Sequence, residues 1–223
     1  MSNSTEPAFA AVVLAAGNSS RLGQPKQLLR FQGQILLARA LDLAQSALPK
    51  HCMLALGANS RQIWQALVDE PLVQNGSSLD LNQVERLDVE NWQLGMGASL
   101  QKSVSTIIDR AEICGLLILL VDQYKIAPSF VQRLIDLWRT QPTLACCARY
   151  QQLCGAPAIL PRNWFADILS GAPADYGARL WLRSRKDVQM LDISDPGDLD
   201  HPEDIGSNTP NHVQVDARTT KQV

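Results

Sequence analysis

Charged residues are scarce in this 223-residue chain: Asp, Glu, Lys and Arg make up 19%, with 20 bases against 22 acids and a formal net charge of −2. That balance supplies no bulk attraction to nucleic acid or to an anionic membrane, so any phosphate-binding surface has to be local. Paired cysteines are missing as well. Cys52, Cys114, Cys146, Cys147 and Cys154 are odd in number and show no C-x-x-C spacing, which disfavours a disulfide scaffold and fits a reduced, cytoplasmic chain. His51, His201 and His212 are too scattered to form a pair with metal-ligand spacing. The apolar run GLLILLV from Gly115 to Val121 falls far short of the roughly 20 residues that span a bilayer. The opening MSNSTEPAF has neither the cationic nor the apolar region of a secretion signal. Two nucleotide fingerprints, G-x-x-x-x-G-K-[ST] and G-x-G-x-x-G, are also absent, which argues against a Walker NTPase and a dinucleotide site.

What the chain does contain is an ordinary apolar fraction, 46%, and enough length to bury a full core in one domain. FAAVVLA (Phe9 to Ala15), HCMLALG (His51 to Gly57), QVERLDV (Gln83 to Val89), GLLILLV and LACCARY (Leu144 to Tyr150) read as strands. Between them lie stretches with helical spacing: Ile35 to Leu48, Ser60 to Glu70, Ala98 to Ala111 and Pro128 to Thr140. Ser60 is placed to cap its helix, Pro71 to stop it, and Pro128 to open the first turn of its own. This alternation with short loops predicts βαβ units, an α/β fold whose mostly parallel sheet is covered on both faces. After Tyr150 the rhythm changes to a segment CGAPAIL, two short helices and a returning strand, DVQMLDI from Asp187 to Ile193. The adjacent Cys146 and Cys147 must point to opposite faces of their strand. Residues 1–205 are expected to form one domain, and the tail 206–223, which lacks apolar periodicity, to be disordered.

The most informative stretch is LAAGNSSRLGQPKQLL, Leu14 to Leu29, directly after the first strand. In an open parallel sheet, ligands bind outside the C-terminal ends of the strands, where this loop falls. Gly17 and Gly23 allow close backbone approach, successive N–H groups can form an anion-binding concavity, and Arg21 and Lys26 add positive charge. A solvated connector would carry the same residues facing water.

The loop resembles the signature L-x-x-G-x-S-x-R-x-G-x-x-K-x-L-L of MobA-like nucleoside-triphosphate transferases, matching at Leu14, Gly17, Ser19, Arg21, Gly23, Lys26, Leu28 and Leu29. Alanine at position 16 is similar to the molybdenum cofactor cytidylyltransferase branch. Further segments resemble that branch in the same order: WQLGMGASLQKSV from Trp92, LILLVDQYKIAPSFVQRLI, CGAPAILPRNWFADILSG, ADYGARLWLR and DPGDLDHPEDI. The resemblance implies a three-layer, Rossmann-like nucleotidyltransferase fold with a mostly parallel central sheet. It implies a cytoplasmic, Mg²⁺-dependent enzyme that moves CMP from CTP (or another NTP) to the terminal phosphate of a molybdopterin-type acceptor, releasing pyrophosphate.

Residue by residue, the resemblance assigns Leu14, Ala15, Ala16, Gly17, Ser19, Arg21 and Lys26 to the nucleotide, with Arg21 and Lys26 catalytic. Asp122 and Asp200 become the metal carboxylates, although Asp122 can also be a turn residue and Asp198 competes with Asp200. Gly95, Met96, Gly97, Ser99, Gly155 and Pro157 fall to the acceptor, with Asp175, Gly177 and Arg179 on the same side. The stretch from Gly95 to Ser99 reads equally as a glycine turn with Ser99 as a helix cap. Tyr124 stands where the family has proline after Asp-Gln, so it re-aims the turn that carries Asp122 or stacks on the acceptor. Val89 replaces an asparagine, and PADYGAR carries extra residues. Two other readings stay open: a different phosphorylated acceptor such as a sugar or polyol phosphate, and a non-catalytic molybdopterin carrier or chaperone. Either the enzyme or the carrier implies transient contact with a molybdoenzyme or its chaperone.

Overall fold

The computed structural model describes residues 6–72, 77–150, 153–172 and 177–197 and the backbone of 213–214. The first strand, β1 (Ala8–Ala15), is made of apolar residues, most of them small or branched, and lies in the interior of the sheet. Side chains alternate across a strand with a period of two. Phe9, Ala11, Val13 and Ala15 therefore enter one apolar layer, and Ala10, Val12 and Leu14 enter the other.

The chain continues through β2 (Arg30–Phe31), β3 (Gln34–Ile35), α1 (Leu36–Ser46), β4 (His51–Leu56), α2 (Ser60–Val68) and β5 (Val84–Asp88). Then come α3 (Met96–Ile107), β6 (Ile113–Leu120), α4 (Pro128–Thr140), β7 (Ala145–Tyr150) and β8 (Leu153–Pro161). It closes with α5 (Phe165–Ser170), α6 (Ala178–Ser184), β9 (Val188–Asp192) and β10 (Val213–Gln214). Seven strands form one sheet in the order β5-β4-β1-β6-β8-β7-β9. Only β8 runs antiparallel to its neighbours; the remaining pairs are parallel. Leu36, Leu37 and Leu41 of α1, Ile63 and Leu67 of α2 and Val131, Leu134 and Trp138 of α4 pack into one layer. Leu100 and Val104 of α3, Phe165 of α5 and Leu182 of α6 fill the opposite one. This is the three-layer α/β architecture that the alternation of elements predicts. Cys146 and Cys147 do point into opposite layers.

Three features differ from the expectations. The cap of α2 is Asn59, in the left-handed region at φ 55, while Ser60 is the first helical residue and donates to Asp88 at 2.9 Å. Helix α3 begins at Met96 rather than Ala98, because Gly95 with φ 96 starts it, so Ser99 lies inside the helix and is not its cap. A second, three-stranded sheet, β10-β2-β3, was not foreseen. Its β10 comes from the stretch expected to be disordered and pairs antiparallel with β2. No helix among the described residues is long and apolar enough to cross a membrane.

Candidate active site

Strands β5, β4, β1 and β6 run parallel, so their C-terminal ends share one edge, and the loop after β1 rises there. The loop is folded back on itself. Ser19, at φ 52, accepts a hydrogen bond on Oγ from Lys26 N at 3.0 Å, and its carbonyl accepts from Leu22 N at 3.0 Å. Leu22 and Leu29 are buried and anchor the loop's far limb. Gly23, at φ 68, makes the turn that brings Pro25 and Lys26 back toward β1. Lys26 thereby faces across to Asp122, just past β6, and its ammonium forms an ion pair with Asp122 Oδ2. The other oxygen, Oδ1, is buried without a hydrogen-bond partner.

A cavity of about 210 Å³ opens between these groups. Leu14, Ala15, Ala16, Gly17, Lys26 and Gln27 of the β1 strand end and loop line it together with Asp122. Trp92, Gly95, Met96 and Ser99 form the opposite wall. Two hollows adjoin it. One of about 140 Å³ shares Leu14, Met96 and Leu120 and extends to Tyr150, Gly155, Ala156 and Arg179. The other, an open trough of about 870 Å³, shares Trp92 and is lined by Gly57, Ser60, Arg86, Val89 and Glu90. Trp92 can sit at this junction because Gly57 has no side chain: a Cβ there would lie 2.5 Å from Trp92 Cβ and 2.7 Å from the Ala16 carbonyl.

The structure therefore divides the predicted residues. Gly95, Met96 and Ser99 share one cavity with the loop and Asp122, and of these Met96 alone also reaches the second hollow, where Gly155 lies. Pro157 is buried in β8 beside Ala156, and Gly97 is half-buried; neither lines these hollows. Arg21 is exposed and does not line the loop's cavity. Asp198, Asp200 and Asp175 lie outside the described residues. Tyr124 is buried and lines neither of these hollows. Its ring packs on Phe31 with centroids 4.8 Å apart, and its carbonyl accepts from Arg39 Nε at 2.8 Å. The turn is further held by Lys125, whose N–H donates to the Pro196 carbonyl at 3.2 Å and whose ammonium pairs with Asp195 at 2.5 Å. The hydrogen bond from Lys125 holds the Asp195 carboxyl below the usual range and raises Lys125 in turn.

Sequence reasoning missed three residues. Trp92 was quoted in a motif without a role. Gln27 is fully buried and donates from Nε2 to the carbonyls of Ala15 at 2.8 Å and Gly17 at 3.0 Å. Gln123, 5% exposed, donates to the Ala156 carbonyl at 2.9 Å and ties the Asp122 turn to the second hollow. The available signal was a glutamine directly after each charged site residue, in K-Q-L-L and V-D-Q-Y.

Chemically, the described residues give the cavity one cation, Lys26, several backbone groups and one carboxylate oxygen with no partner among them. Among the described residues no group of three or more His, Cys, Asp or Glu could hold a metal. Mg²⁺ commonly binds through one or two carboxylates, with substrate phosphates and water completing the shell. The buried, unpaired Asp122 Oδ1 fits that kind of half-built site.

Comparison with known proteins agrees with this geometry. The profile of the MobA-like NTP transferase domain matches residues 11–189. Among curated proteins none matches the sequence. Rv0371c of Mycobacterium tuberculosis H37Rv is 28% identical, with a TM-score of 0.73 over 88% of this chain and 94% of that one. A second structure of Rv0371c, in complex with manganese, is 26% identical with a TM-score of 0.65, covering 84% and 89%. A nucleotidyl transferase of Methanothermobacter thermautotroptrophicus, 18% identical, shares the fold at a TM-score of 0.67 over 88% and 94%. Fold and site together define a nucleotidyltransferase. The chain belongs to the MobA-like NTP transferase family.

Proposed function

We propose that the protein transfers CMP from CTP to the terminal phosphate of a molybdopterin–molybdenum cofactor and releases pyrophosphate. The observation that carries this reading is Lys26 paired across the cavity with Asp122, whose second oxygen has no partner among the described residues. The acceptor phosphate oxygen attacks the α-phosphorus, a P–O bond forms, and the bond to the departing pyrophosphate breaks. Such a reaction relies on positioning and charge stabilisation rather than on covalent catalysis by the protein. Lys26 stabilises charge on the triphosphate as it moves to the leaving group. Arg21, exposed on the same loop, is free to fold over the outer phosphates. Asp122, with Asp200, would hold Mg²⁺, which screens the phosphates when bound.

Ala15, Ala16 and Gly17 contact the nucleotide through backbone groups, Ser19 braces the loop, and Leu14 forms the wall between the two hollows. Cytosine is the proposed base because Ala16 matches the cytidylyl branch. Gly155 and its neighbours admit the acceptor on the far side of Met96, a placement supported by the second hollow. Met96, which lines both hollows, stands between the two substrates, while Gly95 and Ser99 border the nucleotide's cavity and the acceptor's path to it. The test is pyrophosphate release from each of the four NTPs, with and without molybdenum cofactor. Release with CTP only when cofactor is present supports the proposal. Release with another phosphorylated acceptor alone would reassign the substrate, and tight cofactor binding without release would make the protein a carrier.

A further inference from the structure

The peptide units of the loop after β1 are held in a fixed orientation by Gln27, which borders the same cavity. A trans peptide unit places its C=O and the following N–H on opposite sides, and the only cis bond among the described residues is Ala156–Pro157. Gln27 Nε2 holds the Ala15 carbonyl, which turns the Ala16 N–H away from Gln27. The same amide holds the Gly17 carbonyl and so turns the Asn18 N–H away as well. The intervening Ala16 carbonyl is taken by Ala58 N at 3.0 Å, which fixes the Gly17 N–H. The Gly17 and Asn18 N–H groups find no acceptor among the described residues.

We infer that Gln27 is a positioning residue that sets the anion-binding face of this loop, an inference that rests on the nucleotidyl-transfer reading above. Gln27 itself borders the loop's cavity, and its part is played through the peptide units of residues 15–18, whose carbonyls it holds. Its own Oε1 is buried with no partner. An unpaired buried acceptor destabilises a fold, and an apolar side chain of equal length would remove that penalty. The amide is thus matched to the loop rather than to the core around it. Its ligand is the triphosphate, or any phosphate chain, received by the N–H groups it leaves pointing outward.

The experiment compares the intact protein with Gln27→Met and Gln27→Glu, measuring calorimetric affinity for CTP, GTP, ATP, UTP and pyrophosphate in magnesium. Gln27→Met keeps the volume and loses both donors. Its affinity for the preferred NTP and for pyrophosphate should fall at least about tenfold while cooperative melting is retained. Gln27→Glu adds a pH readout that a purely structural role would not produce. Ionised, it repels both carbonyls; protonated, it can donate to one of them, and burial favours that form. Its affinity relative to wild type should therefore recover as pH falls from about 8 to about 5.5. Binding by Gln27→Met within about twofold of wild type overturns the inference. If Gln27→Met does not fold, a flat affinity ratio for Gln27→Glu across that pH range overturns it instead. Failure of the wild-type protein to bind any NTP or pyrophosphate would sink the functional reading itself, a different result from either variant outcome.

Discussion

At Lys26 the chain sets an ammonium against Asp122 with both side chains mostly shielded, 20% and 14% exposed. A charge held in a partly water-excluded site is worth more to a developing anion than one in bulk water. Lys26→Ala should lower kcat by about 10²–10³, the scale of losing one oxyanion donor. Near-normal pyrophosphate release by the purified variant would show that Lys26 plays no part in the chemistry. Asp122→Asn keeps the shape but removes the negative charge that a hard cation needs. Its expected signature is a higher magnesium concentration for half-maximal activity, read from a metal titration of pyrophosphate release. Gly57→Ala makes a different point, since its Cβ would meet Trp92 Cβ at 2.5 Å and the Ala16 carbonyl at 2.7 Å. Overpacking of this kind costs about 1–3 kcal/mol. The variant should melt lower and bind nucleotide more weakly, because the displaced groups wall the cavity. Unchanged melting and binding would mean that Trp92 and the loop relax freely.

Among the elements, those with a long periodic pattern were legible and those set by a few contacts were not. β1, β4, β6 and α4 announce themselves through unbroken apolar runs or helical spacing, and α4 matches its predicted bounds, Pro128–Thr140. The two-residue strands β2, β3 and β10 carry no period to read; they exist through pairing with each other. The starts of α2 and α3 depend on positive φ at Asn59 and Gly95, which tertiary context fixes. The turn after β6 is another such case. With Tyr124 at the position where the family has proline, Phe31, Arg39 and the Lys125–Asp195 pair hold this turn in place of a proline ring. The folded-state pKa of Asp195 is depressed. Its stabilisation is therefore complete above the unfolded value of about 3.9 and is lost as pH falls through the folded one. Melting temperatures of wild type and Asp195→Asn should differ at neutral pH and converge in acid. A gap that stays constant down to low pH would remove the ion pair from the account.

Over the whole molecule, the site forms because β1 and β6 are neighbours in the parallel sheet, so that Lys26 and Asp122 meet although 96 positions separate them. The sequence could place each at a strand end, and the sheet order that joins them follows from the fold. What it could not show is that Gly95 and Ser99 share a cavity with the loop after β1, because they reach it only through the packing of α3. Two apolar layers sealing one sheet also give a test of integrity through the thiols. Burial pushes Cys52 and Cys146 up to about 12 and Cys147 higher still, so at neutral pH each stays protonated and shielded from reagents. Cys52 and Cys146 report the layer under α1, α2 and α4; Cys147 and Cys154 report the one under α3, α5 and α6. Cys114, half-buried, is the accessible member. Labelling of the native protein with an aromatic disulfide reagent should modify Cys114 quickly and the other four only at the rate of global opening. Reaction of Cys147 and Cys154 ahead of Cys52 and Cys146 would instead mean that the two layers open independently, and that the layer under α3, α5 and α6 is the weaker half.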